Sequence, residues 1–187
     1  FVGEAPGEDE TNEGRPFVGA SGRLLNKMLA FNDIARGDVY IGNVFRDRPI
    51  NNEIDRFFLK KREFSKQGFK PETPLFGSHG YPNPELLPQL WALRDDLLRL
   101  RPNVVVALGA NALWALTGQD KIGNYRGTVV PSTLIEGMKV VGTWHPAAIT
   151  RNWDFLSTSV LDIAKAKRES ERPEIIRKDR FLLIEPT

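Results

Sequence analysis

Short runs rich in β-branched residues alternate with stretches of helical period along this chain, and that alternation narrows the folds open to it more than any other feature. The runs are Val39 to Phe45 (VYIGNVF), Asn103 to Leu108 (NVVVAL) and Met138 to Trp144 (MKVVGTW), with a further strand end at Phe1-Val2-Gly3. Their apolar character is continuous, which predicts strands buried on both faces. Between them, Ser21 to Phe31 places Leu24, Leu25, Met28 and Leu29 on one helical face, with Ser21 as a candidate N-cap. Glu85 to Leu100 repeats Leu86, Leu90, Leu93, Leu97 and Leu100 before Pro102. Ala110 to Leu116 and Phe155 to about Lys167 complete the helical set. The expectation is an α/β fold, a three-layer domain with a central, roughly four-stranded parallel sheet flanked by helices.

In such a sheet ligands sit at the carboxyl ends of the strands, and the loops richest in functional groups fall there. The stretch Gly3 to Leu25, GEAPGEDETNEGRPFVGASGRLL, follows the first strand and gathers glycines, Pro6, Pro16, several carboxylates and Phe17. Glycines let backbone N–H groups approach a ligand, and prolines lower the entropy lost on ordering, so the composition is that of a preorganised pocket. Asn43 and Arg46 close the second run, and His145-Pro146 follow the last.

A length of 187 residues fits one domain over 1–187, and the 26 basic and 24 acidic side chains nearly cancel to +2. The chain has no cysteine, which excludes disulfides, thiolate catalysis and cysteine-ligated zinc or iron–sulfur centres within these residues. With His79 and His145 as the only histidines, no metal site is expected. No apolar run is long enough to span a bilayer and no leader is visible. The expectation is a soluble protein, cytoplasmic or otherwise intracellular, with no membrane partner, present as a monomer or as part of a larger chain. Residues 51–84 interrupt the rhythm, with six basic residues and four phenylalanines between Arg56 and Lys70. Two readings stay open: a solvated insertion packed by its own phenylalanines, or a surface that meets phosphates and unstacked bases through Lys60 and Lys61. A charged tail runs from about residue 169 to 187, apolar only at Phe181 to Ile184.

Taken in order, GEAPG, the nearby Glu10, GRPFVGASGRLL, VYIGNVFRDRP, VVVALGANAL and WHPAAITRN resemble the uracil-DNA glycosylase superfamily from Gly3 to Asn152, apart from the insertion. The closest likeness is to its iron–sulfur branch. The resemblance implies hydrolysis of the glycosidic bond in DNA containing uracil or another modified base, leaving an abasic site. It implies that Phe17 stacks under the flipped base and that the Asn43 amide reads the uracil edge. His145 would donate to the charge developing on the base, and Glu4 would orient water or support the sugar cation. Ala5 stands in the pocket where other branches carry Asp or Asn, and Glu10 would line the pocket against a 5-methyl group. Pro146 to Arg151 resembles the loop that wedges into the duplex, with Ile149 as the wedge and Arg151 on a phosphate, and Arg126 would face DNA or pack against the last strand. Without the resemblance, Phe17 as core, Asn43 as a cap for strand-end backbone, and Glu4 and Glu10 as solvated carboxylates stay open. His145, before a proline at a strand end, is hard to explain as core. The iron–sulfur branch holds its cluster with cysteines, two before the opening loop and two after the second strand. Asp47 occupies the position before Arg-Pro and no cysteine follows, so no cluster and no other cofactor is expected. The alternatives are a glycosylase for another modified pyrimidine and an inactive DNA-binding module of the same fold.

Overall fold

The computed structural model describes residues 1–66 and 80–176, apart from the Lys61 side chain. Its strands are β1 Val2–Gly3, β2 Gly42–Asn43, β3 Phe58–Leu59, β4 Tyr81–Pro82, β5 Val104–Leu108, β6 Val129–Pro131 and β7 Lys139–Thr143. Its α-helices are α1 Glu8–Glu13, α2 Ala20–Ala30, α3 Lys61–Lys66, α4 Leu87–Leu100, α5 Ala110–Thr117, α6 Ile122–Tyr125, α7 Pro146–Arg151 and α8 Phe155–Glu169. The central sheet has five strands in the order β2-β1-β5-β7-β6. β2, β1, β5 and β7 run parallel, through Gly3↔Asn43, Val2↔Ala107 and Leu108↔Thr143, and β6 lies antiparallel on β7 through Val130↔Val140. The four parallel strands are those the sequence predicts. The antiparallel edge follows a turn at Gly127, which takes φ 65.

Successive strand residues point to opposite faces, and β5 shows why its sequence is apolar throughout. Val105 and Ala107 join the core with Leu93, Leu97 and Leu113 of α4 and α5, whereas Val106 and Leu108 join Leu25, Met28 and Ile163 of α2 and α8. Helices on both faces make the three layers. The second run is shorter as a strand than Val39 to Phe45, because its only neighbour in the sheet is the two-residue β1. Ser21 is not the N-cap of α2; Gly19 is, in extended conformation. In β7, Lys139 is fully buried, and its Nζ donates to the carbonyls of Glu169 and Arg172, each at 2.6 Å. Glu169 ends α8, where carbonyls lack helical partners, and Arg172 follows beyond its C-cap, Ser170.

The described part of the insertion is fastened to the main core and not packed only on itself. β3 and β4 pair antiparallel, Phe58↔Pro82, and the Phe58 ring lies edge-on to Trp114 at 5.8 Å and to Phe45 at 6.0 Å. The remainder of the insertion, with Lys70 and His79, and the tail from residue 177, with Phe181 to Ile184, lie outside the described residues. No helix among the described residues is long and apolar enough to cross a membrane.

Candidate active site

Beyond the carboxyl ends of β1, β2 and β7 the chain leaves a cavity of about 630 Å³ walled by Glu4, Ala5, Glu10, Phe17, Asn43 and His145. Glu10 shapes its wall. It stands in the first turn of α1, and its carboxylate accepts the N–H groups of Gly7 at 3.1 Å, Val18 at 3.0 Å and Gly19 at 2.9 Å. These bonds fold the Pro16 to Gly19 loop back over the start of α1. Burial pushes the Glu10 carboxyl up, but the N–H groups of Gly19, Val18 and Gly7 outweigh it and hold the group below its ordinary value. Inside this loop Phe17 takes φ 54, a left-handed conformation that bulky residues avoid unless their surroundings over-determine it. Its ring is buried, with its centroid 5.7 Å from that of His145.

Phe17 and Asn43 converge on one point. A Cβ added at Gly3 would lie 2.5 Å from both Phe17 Cζ and Asn43 Oδ1, so only glycine leaves room for the two. Asn43 Oδ1 is buried and has no hydrogen-bond partner. A buried unpaired acceptor costs about 1–3 kcal/mol. Asn43 lines the cavity, where such an acceptor is available to a donor.

His145 lies just beyond β7, which ends at Thr143, and is the N-cap of α7, whose first residue, Pro146, has no N–H to satisfy. His145 Nδ1 accepts the Ala147 N–H at 3.1 Å. The ring proton is therefore on Nε2, which is left to donate. Burial and then the Arg151 charge, opposed by Glu10, lower its pKa to about 4, so the ring is neutral at pH 7. Glu4, at the exit of β1, accepts a hydrogen bond from Asn111 Nδ2 of α5. The site thus offers a flat wall, an unpaired acceptor, a neutral N–H donor and a carboxylate, with Ala5 contributing only apolar surface.

The structure brings Glu4, Ala5, Glu10, Phe17, Asn43, His145 and Arg151 to one cavity and leaves Pro146, Ile149, Arg126 and Lys60 outside its lining. Ile149 is fully buried among α2 and α8 residues. Its expected role as a wedge is corrected: Pro146 and Ile149, one helical turn apart, share the inward face of α7 and are both buried. Arg126 is turned towards α8 and lies outside the cavity lining. Its guanidinium donates to Asp162 at 2.7 and 3.0 Å and to the Thr158 carbonyl at 3.0 Å. Arg151 is exposed at the cavity rim. Lys60 is exposed at the end of β3, outside the cavity lining, and the Lys61 side chain lies outside the described residues. Two residues at or beside the site that carried no sequence expectation bear on its chemistry. Asn52 lines the rim at φ 59, and Asn111 holds Glu4. The available signal for Asn111 was one polar side chain in the apolar run ANALWAL.

A pocket that pairs an aromatic wall with one buried amide edge, at the strand ends of a parallel sheet, defines an α/β protein built to hold a planar, hydrogen-bonding ring. Comparison with known proteins gives the family. The sequence model of the Uracil DNA glycosylase superfamily matches residues 1–168, and the chain belongs to that superfamily. It is 37% identical over 169 residues to the type-4 uracil-DNA glycosylase of Thermotoga maritima, covering 89% of this chain and 74% of that protein. The type-4 enzyme of Archaeoglobus fulgidus is 36% identical over 80% of this chain and 65% of its own length. That of Pyrobaculum aerophilum is 37% identical over 81% of this chain and 67% of its own length.

The iron–sulfur cluster that the resemblance implies does not fit the residues present. There is no cysteine in the chain, and Asp47, where a cluster ligand would stand, is engaged otherwise. Its Oδ2 accepts from Gln89 Nε2 at 2.5 Å, while Gln89 Oε1 accepts the Arg46 N–H at 2.6 Å. The loop after β2 is thereby tied to α4 by an amide. Among the described residues no group of His, Cys, Asp and Glu is placed to hold a metal ion.

Proposed function

We propose that this protein is a DNA glycosylase that hydrolyses the bond between uracil and deoxyribose and leaves an abasic site. The observation that carries this reading is the buried, unpartnered Asn43 Oδ1 beside the Phe17 ring. Uracil presents an N3–H donor next to a carbonyl acceptor, which an asparagine amide matches with its oxygen and its NH₂. The target base leaves the helix stack, at a cost of a few kcal/mol, and Phe17 supplies the stacking surface in the cavity.

As the C1′–N1 bond breaks, its electron pair passes to the base and charge gathers on the uracil oxygen, while the sugar becomes oxocarbenium-like. The His145 Nε2–H donates to that oxygen, and a neutral donor does so without giving up its proton. Glu4 supports the sugar cation and orients the water that adds to C1′; the water's proton leaves with the departing base or to solvent. The DNA backbone meets Arg151 at the rim. With Ile149 buried, the exposed hydrophobic group on that side is Trp153, in the turn between α7 and α8 and 59% exposed.

The test is single-turnover incubation with an oligonucleotide carrying one uracil, followed by alkali. Strand breakage is the expected result. Intact strands with measurable DNA binding would transfer the reading to another modified pyrimidine or to an inactive binding module. Phe17→Ala is expected to weaken binding of uracil-containing DNA by about 1–3 kcal/mol, the worth of one base–aromatic stack, and a fluorescence titration measures it. Replacing Lys60, Lys61 and Arg62 with glutamine tests whether the insertion contacts phosphates. The expected result is a salt dependence of binding shallower by up to about 0.9 per charge removed. An unchanged slope rules the contact out.

A further inference from the structure

Helix α5 is apolar along almost its whole length, and every residue from Asn111 to Thr117 is buried. Asn111, 5% exposed, is the one amide among them. Its Nδ2 donates to Glu4 Oε2, and its Oδ1 is buried with no partner. That pairing fixes the amide: turned over, Oδ1 would oppose the carboxylate. A fold that keeps a buried, half-satisfied amide in an apolar helix keeps it for what the amide touches. The start of α5 is also locked against the other proposed catalytic group. Gly109, at φ 91, leads into the helix, and a Cβ there would lie 3.0 Å from His145 Cβ. The same turn thus abuts His145 and holds Glu4.

Resting on the glycosylase reading above, we propose that Asn111 is the positioning residue of Glu4. Its amide fixes one carboxylate oxygen so that the group keeps its place in the cavity wall. Asn111 lies outside the cavity lining, so it acts through Glu4 and not on the base.

The experiment is a double-mutant cycle on single-turnover uracil release with wild type, Asn111→Ala, Glu4→Ala and the double variant, alongside the dissociation constant for uracil-containing DNA. Misplacing a reacting group by about an ångström slows a reaction by about 100-fold. Asn111→Ala is therefore expected to slow release by roughly 10- to 100-fold with the dissociation constant nearly unchanged, and to add almost nothing in the Glu4→Ala background. An equal loss in both backgrounds, or a wild-type rate in Asn111→Ala, overturns the proposal while leaving the glycosylase reading standing. A wild-type protein that releases no uracil overturns both. Should Asn111→Ala fold poorly, Asn111→Asp serves: it sets a carboxylate against Glu4, and its defect in thermal stability is expected to be relieved by Glu4→Gln, whose amide restores the pair. Failure of that rescue counts against the proposal.

Discussion

His145→Ala is expected to slow single-turnover uracil release by about 10²- to 10³-fold, the usual loss when one preorganised donor to a developing oxyanion is removed. Binding of the same DNA should change far less, because the stack on Phe17 and the Asn43 amide remain. The pH dependence is the sharper test. With Nδ1 committed to the Ala147 N–H and the pKa lowered to about 4, the imidazole works as a neutral donor. The wild-type rate should therefore show no acid limb near 6.5, where an ordinary histidine titrates. A limb near 6.5 would mean that the imidazolium is the donor or that the ring is solvated, and either contradicts the geometry. The same shift acts on stability. Between about pH 6.5 and 4 the unfolded chain takes up a proton that folded His145 refuses. The contribution is fully present above 6.5 and is lost as pH falls towards 4. Thermal melts of wild type and His145→Ala across that window should converge in the acid.

What the sequence made legible were features carried by local pattern. Continuous β-branched runs located β5 and β7, and one-face leucine spacing located α2 and α4. The order of loops at the strand ends placed Glu4, Phe17, Asn43 and His145 at one cavity. What it hid depends on partners distant along the chain. Pro146 to Arg151 is too short for periodicity to tell its inward face from its outward one, so Ile149 passed for a wedge. Arg126 looked like a DNA contact because its partner, Asp162, lies in a different helix. Glu10 could be read as a solvated carboxylate as well as a pocket one because the N–H groups it collects, at Val18 and Gly19, become its neighbours only once α1 has formed. Ser21 has the right chemistry for a cap, but the chain enters α2 from Gly19, whose N–H is already taken by Glu10. Local propensity gave way to a tertiary contact in each case.

Arg126→Ala is expected to destabilise the protein by about 3–5 kcal/mol, the loss seen when one partner of a buried ion pair is removed. Asp162 is almost wholly buried, at 4% side-chain exposure, and its carboxylate is met by the Arg126 fork at 2.7 and 3.0 Å and by the Thr143 hydroxyl at 2.9 Å. Even so, burial pushes its pKa up more than Thr143 and Arg126 pull it down. Without the guanidinium the carboxylate keeps its desolvation and loses its counter-charge. For a domain of this size the loss corresponds to a melting temperature lower by roughly 10 °C. Arg126→Lys should recover only part of it, since an ammonium cannot reproduce the two-pronged bond. The sign of the pH dependence follows from the raised pKa: folded Asp162 holds a proton more readily than the unfolded side chain, so acidification relieves the burden of the charge. The gap in melting temperature between wild type and Arg126→Ala should accordingly narrow as pH falls through the carboxylate range. Asp162→Asn, which removes the charge and keeps a polar group beside Thr143, should be less harmful in the Arg126→Ala background than in the wild type. Because this network ties α8 to β7 and the α6 turn and none of its members lines the cavity, uracil release well below the melting temperature should persist in Arg126→Ala. A variant that melts like the wild type would show the pair to be solvated, and one that is stable but inactive would return Arg126 to the DNA interface.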